Sequence, residues 1–254
     1  MIDTGYLFSN KADRLFVNTS LGCTANCAYC YLPALNYAKG EALNTYITAE
    51  ELIKQVESYK GYKSGKNGTL ISFGCYSECW DKTNKSQTIK LINYFLQQGN
   101  QVQFSTKRFV DYKDLIEVSN NIKYYGQLAI FISSATISDW DKFEKGTTEP
   151  LQRFKSFEIT KKLNIPVVLY IKPVLLNITI KDINKYIEVI KKYNIKDVVV
   201  GSIIKTNGTG EVAPFVKDNS MHTHPIEQEK DIIDSLSKVC KVYTKSIHVL
   251  DNFK

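Results

Sequence analysis

No apolar run in this 254-residue chain is long enough to cross a bilayer; the longest, such as Ile165-Pro-Val-Val-Leu-Tyr-Ile171, are the length of a strand. The opening residues, Met1-Ile-Asp-Thr-Gly-Tyr6, lack the basic-then-apolar pattern of a secretory leader, so the expected setting is the cytoplasm, with no membrane partner. No Pro/Gly/Ser-rich linker splits the middle, no tract is of low complexity, and nothing repeats at the roughly 20–50-residue period of solenoids and arrays. Histidine is scarce, with three in the chain. Two of them, in His222-Thr-His224, stand close enough to suggest a zinc site, but so few imidazoles read better as an exposed pair, and no metal is assigned there.

What is present is ordinary for one sizeable globular domain: 43% hydrophobic and 23% charged residues. The formal charge of +7 favours an anionic partner, nucleic acid included, although much of it lies in lysine pairs such as Lys161-Lys162 and Lys191-Lys192 on amphipathic stretches. Of the six cysteines, three fall within the segment 23–30. Such crowding points to metal ligation, which needs reduced thiolates and a reducing compartment.

From Arg14 onward, short apolar runs alternate with helix-length amphipathic segments, the rhythm of parallel strands joined by crossover helices. Six strands are expected, at 15–20, 69–75, 102–106, 128–133, 167–174 and 197–203, several rich in Val, Ile and Phe as doubly covered strands should be. Thr48-Ala-Glu-Glu51 reads as a capping box ahead of Leu52, Val56 and Tyr59. Ile183, Tyr186, Ile187 and Ile190 form the stripe of a surface helix, and a helix near 88–98 stops at Gly99. The expected fold is α/β, one incomplete barrel over 1–203, followed by a short C-terminal extension, 204–254, open to contact with substrate. That extension begins with a turn at Asn207-Gly-Thr-Gly210, whose glycines lack the lysine of a phosphate loop, and continues with a helix near 226–239 and a last strand at 241–249.

The segment Gly22-Cys23-Thr-Ala-Asn-Cys27-Ala-Tyr-Cys30-Tyr31 follows the first strand directly. Thiolates are the usual ligands of an iron–sulfur cube, which needs four; three leave one iron open to a small molecule. A zinc site completed by a distant His or Cys79, or three inert buried thiols, would use the same residues. The spacing C-x3-C-x2-C, with an aromatic residue, Tyr29, just before the third cysteine, resembles the signature of the radical S-adenosylmethionine (SAM) superfamily. That resemblance implies a partial (β/α)6 TIM-type barrel and a [4Fe–4S] cluster on Cys23, Cys27 and Cys30. It also implies S-adenosyl-L-methionine chelated to the open iron, and an external electron donor of flavodoxin or ferredoxin type. Reductive cleavage of SAM would then yield a 5′-deoxyadenosyl radical that abstracts hydrogen from substrate.

Within the superfamily, residues 14–203 look most like spore photoproduct lyase and its photolyase-like relatives. The second strand ends Ser72-Phe-Gly-Cys75-Tyr-Ser77-Glu78, similar to that family's Cys-Thr-Ser-Asp stretch; the third ends Ser105-Thr-Lys107; the fourth ends Ile132-Ser-Ser-Ala135. Glu144-Lys-Gly-Thr-Thr-Glu-Pro150 with Arg153-Phe154, and Lys172-Pro-Val174, also resemble it. In TIM-type barrels the reacting groups sit at the C-terminal ends of strands. By that carry-over Ser77, Lys107 and Ser133 or Ser134 would contact SAM, Tyr29 and Tyr31 would line the cluster, and Cys75 would donate a hydrogen atom to a product radical. Glu78-Cys79-Trp80 departs from the relatives, and the tail carries no recognisable lesion-binding hairpin. The expected activity is therefore radical SAM chemistry on a bulky substrate, with nucleic acid a candidate. The alternatives are modification of a peptide or small metabolite, and a non-catalytic iron–sulfur or zinc module. A second cluster on Cys75, Cys79 and Cys240 lacks cluster-type spacing; Cys79 and Cys240 read as buried or half-buried thiols.

Overall fold

The protein is described by a computed structural model covering residues 5–9, 14–41, 46–206 and 221–253. In chain order the strands are β1 (Leu7–Ser9), β2 (Arg14–Val17), β3 (Asn26–Cys27), β4 (Leu70–Phe73), β5 (Val102–Thr106), β6 (Leu128–Ser133), β7 (Glu144–Lys145), β8 (Val167–Ile171), β9 (Asp197–Val200), β10 (Ile203–Thr206), β11 (Met221–His224) and β12 (Lys241–Tyr243). Eight of them form one sheet in the order β1-β2-β4-β5-β6-β8-β9-β12. Only the β1–β2 pair in it is antiparallel; each remaining pair is parallel, so the six expected strands are joined by a seventh, β12, beside β9.

Helices cover the outside. Ala49–Ser58 starts with the expected capping box: the Thr48 hydroxyl accepts from Glu51 N at 3.2 Å, and the Glu51 carboxylate accepts from Thr48 N at 3.2 Å. Lys85–Gln97 stops ahead of Gly99, whose positive φ of 90° suits a residue without a Cβ. Ile183–Tyr193 buries Tyr186, Val189 and Ile190, with Ile183 and Ile187 packed at the margin.

Strand alternation separates two faces. Leu15, Val17, Ile71, Phe73, Phe104, Ile130 and Ile132 face the helices in the main core. At about 1.5–3 kcal/mol for each fully buried large apolar side chain, this layer is the fold's principal stabilisation. On the other face Ala129, Phe131, Val168 and Val199 meet Val249 and Leu250, while Arg14, Phe16, Gln103, Ser105 and Ser133 line an open chamber.

The C-terminal segment corrects one expectation. The strand foreseen at 241–249 is confined to Lys241–Tyr243, and Ser246–Leu250 is helical because Ser246, Val249 and Leu250, spaced three and four apart, are the residues that bury. Residues 203–206 and 221–224 pair as an antiparallel two-stranded ribbon, with Lys205 opposite His222. The turn expected at Asn207-Gly-Thr-Gly210 lies outside the described residues.

Asp182, just ahead of the helix Ile183–Tyr193, ties down the loop that follows β6. Its carboxylate accepts from Thr136 Oγ1 (2.7 Å), Ile137 N (2.6 Å) and Ser138 N (3.0 Å), and also from Ser138 Oγ. Burial works to raise its pKa, but the bonds from Ser138, Thr136 and Ile137 outweigh it and hold the carboxyl below its ordinary value.

Candidate active site

The cysteine loop begins at the C-terminal end of β2 and is fastened at several points. Gly22 takes φ 101°. Cys23 N donates to Ala38 O (3.0 Å), Gly40 N to Cys23 O (2.9 Å), and Lys39 Nζ to Cys27 O (2.8 Å). β3 pairs antiparallel with β7, setting Cys27 opposite Glu144 and so locking the loop to the segment beyond β6. Cys23, Cys27 and Cys30 line one chamber, and none of the six cysteines is in a disulfide. Burial, helped by Glu78, pushes the Cys23 thiol up to about 12, and burial likewise raises Cys27 and Cys30. Thiols in that state lose their protons when a metal takes their place.

Among the described residues no three His, Cys, Asp or Glu side chains converge on a single ion position. A cube holds each thiolate on a different corner iron, and three thiols lining one chamber are the donor set such a cluster would use. The Ala25 N–H directed at Cys23 Sγ (3.4 Å) is the kind of bond that tunes cluster sulfurs.

The strand ends bring most of the sequence-derived residues to this chamber. Gly74, with φ 90°, brings the backbone so close to β5 that a Cβ would stand 2.7 Å from Ser105 O, and this turn presents Cys75. The Tyr31 hydroxyl donates to Cys75 O at 2.5 Å and lies 3.9 Å from Cys75 Sγ. Ser77 is buried, and its Oγ has no partner. An orphaned hydroxyl beside three thiols is what a site for a polar small molecule would leave. Glu78, by contrast, is fully engaged: it accepts from Thr106 Oγ1 (2.5 Å), Lys107 N (2.9 Å) and Trp80 N (3.2 Å), and so clamps the end of β5.

Lys107 Nζ donates to Ser133 Oγ at 2.6 Å and stands 3.7 Å from Glu144 Oε1 and 5.7 Å from the Tyr29 ring centre. An ammonium has three donors, so this one can still serve a carboxylate. Ser133 lines the chamber; Ser134 does not, because its hydroxyl donates to Thr136 O (3.0 Å) in the buried wall. Cys79 is buried, with its thiol toward Ser105 O, and Cys240 is half-buried against Leu236 O. His222 and His224 are exposed on β11.

Two residues given no role from sequence organise this site. Glu144, fully buried, accepts from Tyr29 Oη (2.5 Å), Ala135 N (3.0 Å) and Arg153 Nη1 (2.9 Å). Arg153, also fully buried, further donates to Thr147 Oγ1 (2.9 Å), Thr148 O (2.6 Å) and Ser133 O. Burial acts to raise the Glu144 pKa, but Arg153, then Lys107 and the Tyr29 hydroxyl, hold it below the usual carboxylate range. The signal was available: both residues belong to the family-like stretch 144–154, and a glutamate nine residues ahead of an arginine across a turn could have been read as an ion pair.

The model of the radical SAM superfamily matches residues 17–190, and the chain belongs to that superfamily, whose members are enzymes using SAM and an iron–sulfur cluster. A search of curated proteins finds no match. Among solved structures, SuiB of Streptococcus suis bound to SAM is similar at TM-score 0.61 and 12% identity, over 93% of this chain and 51% of that one. The chain thus spans about half the length of SuiB. Spore photoproduct lyase complexed with dinucleoside spore photoproduct is similar at TM-score 0.61 and 13% identity, over 89% of this chain and 75% of that one. SuiB bound to its precursor peptide SuiA gives TM-score 0.59 at 11% identity, over 96% and 51%. At these identities the structural likeness concerns the fold.

Proposed function

We propose that this protein binds a [4Fe–4S] cluster through Cys23, Cys27 and Cys30 and SAM through Ser77, Lys107 and Ser133, and acts on a bulky anionic substrate, with nucleic acid the first class to test. When bound, cluster and SAM together supply the 5′-deoxyadenosyl radical that takes hydrogen from substrate. The observation that carries the reading is the convergence of three thiols, an orphaned buried hydroxyl and a lysine with a spare donor on one chamber of about 750 Å³. The chain's own residues divide the work. Lys107 would meet the SAM carboxylate as a charge-assisted bond, and Glu144 and Arg153 fix Lys107 and Ser133. Of the two serines expected to reach SAM, Ser133 carries the role. Cys75, at the chamber wall beside Tyr31, is placed to give a hydrogen atom to a product radical. A flavodoxin- or ferredoxin-type protein supplies the electron.

Anaerobic reconstitution followed by reduction with SAM tests this: 5′-deoxyadenosine should form, and the cluster should hold about four irons per chain. Absence of both iron uptake and 5′-deoxyadenosine would leave only the non-catalytic module. A peptide substrate is the second reading, supported by the likeness to SuiB, which is seen with its precursor peptide. Binding of oligonucleotide against peptide separates the two.

A further inference from the structure

The first residue of β2 places an arginine inside the barrel. Arg14 and Phe16, two apart, point to the chamber rather than to the helices, and the guanidinium carbon lies 4.2 Å from the Phe16 ring centre. Arg14 Nε donates to Ser72 Oγ at 2.8 Å, which fixes the plane of the fork and leaves both Nη groups without a hydrogen-bond partner among the described residues. Among the described residues no carboxylate lies within ion-pair distance of it. Burial works against its charge, with Tyr170 and Cys75 the groups near enough to oppose that effect. A charge held in this way without a counter-ion is costly unless something completes it.

A second observation points the same way. Gln103, on β5, is 5% exposed, lines the same chamber, and its Oε1 has no hydrogen-bond partner among the described residues. An amide there can turn its NH2 toward an anion as readily as its oxygen. Lys172 and Lys245 also line the chamber, whereas the carboxylate in its lining, Glu78, is already taken up by Thr106, Lys107 and Trp80. The chamber lining therefore carries more cationic side chains than carboxylates.

We propose that Arg14, oriented by Ser72 and with Gln103 paired beside Ser72 on the next strand, is a phosphate subsite that holds a phosphodiester of the substrate within the barrel. The assignment rests on the nucleic-acid reading above and narrows it: one phosphate enters the chamber, and the rest of the chain remains outside. A bidentate fork fits two phosphate oxygens, and the surplus of cations over the one engaged carboxylate favours phosphate over the weaker demand of a peptide carboxylate.

The test is titration of the anaerobically reconstituted full chain, with SAM present, with a dinucleotide carrying a single phosphodiester, with inorganic phosphate, and with acetate. The wild type should bind the dinucleotide and phosphate in preference to acetate. Arg14→Gln should weaken phosphate binding by about 10- to 100-fold, the loss expected for a charged hydrogen bond. Arg14→Lys, which keeps charge but not the fork, should weaken it several-fold, and decides the matter if the glutamine variant does not fold. Equal binding by wild type and the folded variants, or no phosphate binding by the wild type, overturns the subsite. Acetate bound as tightly as phosphate, with the same loss in Arg14→Gln, overturns phosphate in favour of a carboxylate. None of these outcomes depends on 5′-deoxyadenosine formation, so failure of the subsite and failure of the radical SAM reading are told apart.

Discussion

Replacing Glu144 by Gln removes one negative charge from a site where two side chains of zero exposure face each other. The amide has nearly the shape of the carboxylate and can still accept from Tyr29 Oη and Ala135 N, so those bonds largely survive. What is lost is the counter-charge of Arg153, fully buried at 2.9 Å, and of Lys107 at 3.7 Å. Leaving one member of a buried ion pair unmatched costs about 3–5 kcal/mol. Arg153 has no route to water, and its remaining partners are a hydroxyl and carbonyls, so the upper half of that range applies. For a chain of this size about 1 kcal/mol moves Tm by roughly 2–4 °C, giving an expected fall of about 8–20 °C. Differential scanning calorimetry of wild type and Glu144→Gln at neutral pH measures it. A fall smaller than about 3 °C would mean that Arg153 is satisfied without Glu144, and the account of how this site is held would be wrong. The same variant should weaken SAM binding, since Lys107 loses the carboxylate that positions it.

Four other outcomes follow from the same geometry. Cys27→Ala should lose the brown iron–sulfur absorption on reconstitution, because one of three ligands is gone; retention of about four irons per chain would move the cluster elsewhere. Lys107→Ala should weaken SAM binding by about 10- to 100-fold in equilibrium dialysis while the cluster still assembles, and unchanged affinity would place Lys107 outside the SAM site. Asp182→Asn should cost about 1–3 kcal/mol at neutral pH in denaturant titration. Because the folded Asp182 pKa is depressed, its stabilisation is complete above the ordinary value of 3.8 and is lost as pH falls through the folded value, so the difference between wild type and variant should shrink below about pH 3.8; a constant gap down to pH 2 would refute it. Cys75→Ala should remove the solvent deuterium that product takes up in heavy water, whereas a normal isotope pattern at normal rate would make Cys75 structural.

Much of this was legible before any coordinates. Strands buried on both faces announce themselves as short Val/Ile/Phe runs, and β4, β5, β6, β8 and β9 fall where those runs are. The cysteine loop was legible because its three cysteines are local, all within residues 23–30. The serine choice was not: Ser133 ends β6 and Ser134 follows it, so continued alternation sends one hydroxyl to the chamber and the other to the wall, and which is which depends on register with β8. The C-terminal segment was misread for a related reason, since 241–249 alternates well enough for a strand until its apolar residues are seen to bury at helical spacing.

Long-range pairing accounts for what sequence could not give. Glu144 reaches Tyr29 across 115 residues and Arg14 reaches Ser72 across 58, contacts made only when strands distant in sequence lie side by side. The two links differ in consequence. Glu144 is surrounded by donors that complete it, so it fixes the loop carrying Tyr29 and the side chain of Lys107, and its work is done within the folded chain. Arg14 has one neutral partner and faces the open chamber, so its charge remains to be met from outside. A barrel that closes one buried charge upon itself and leaves another toward its cavity has separated the residues that build the site from those that select what enters it.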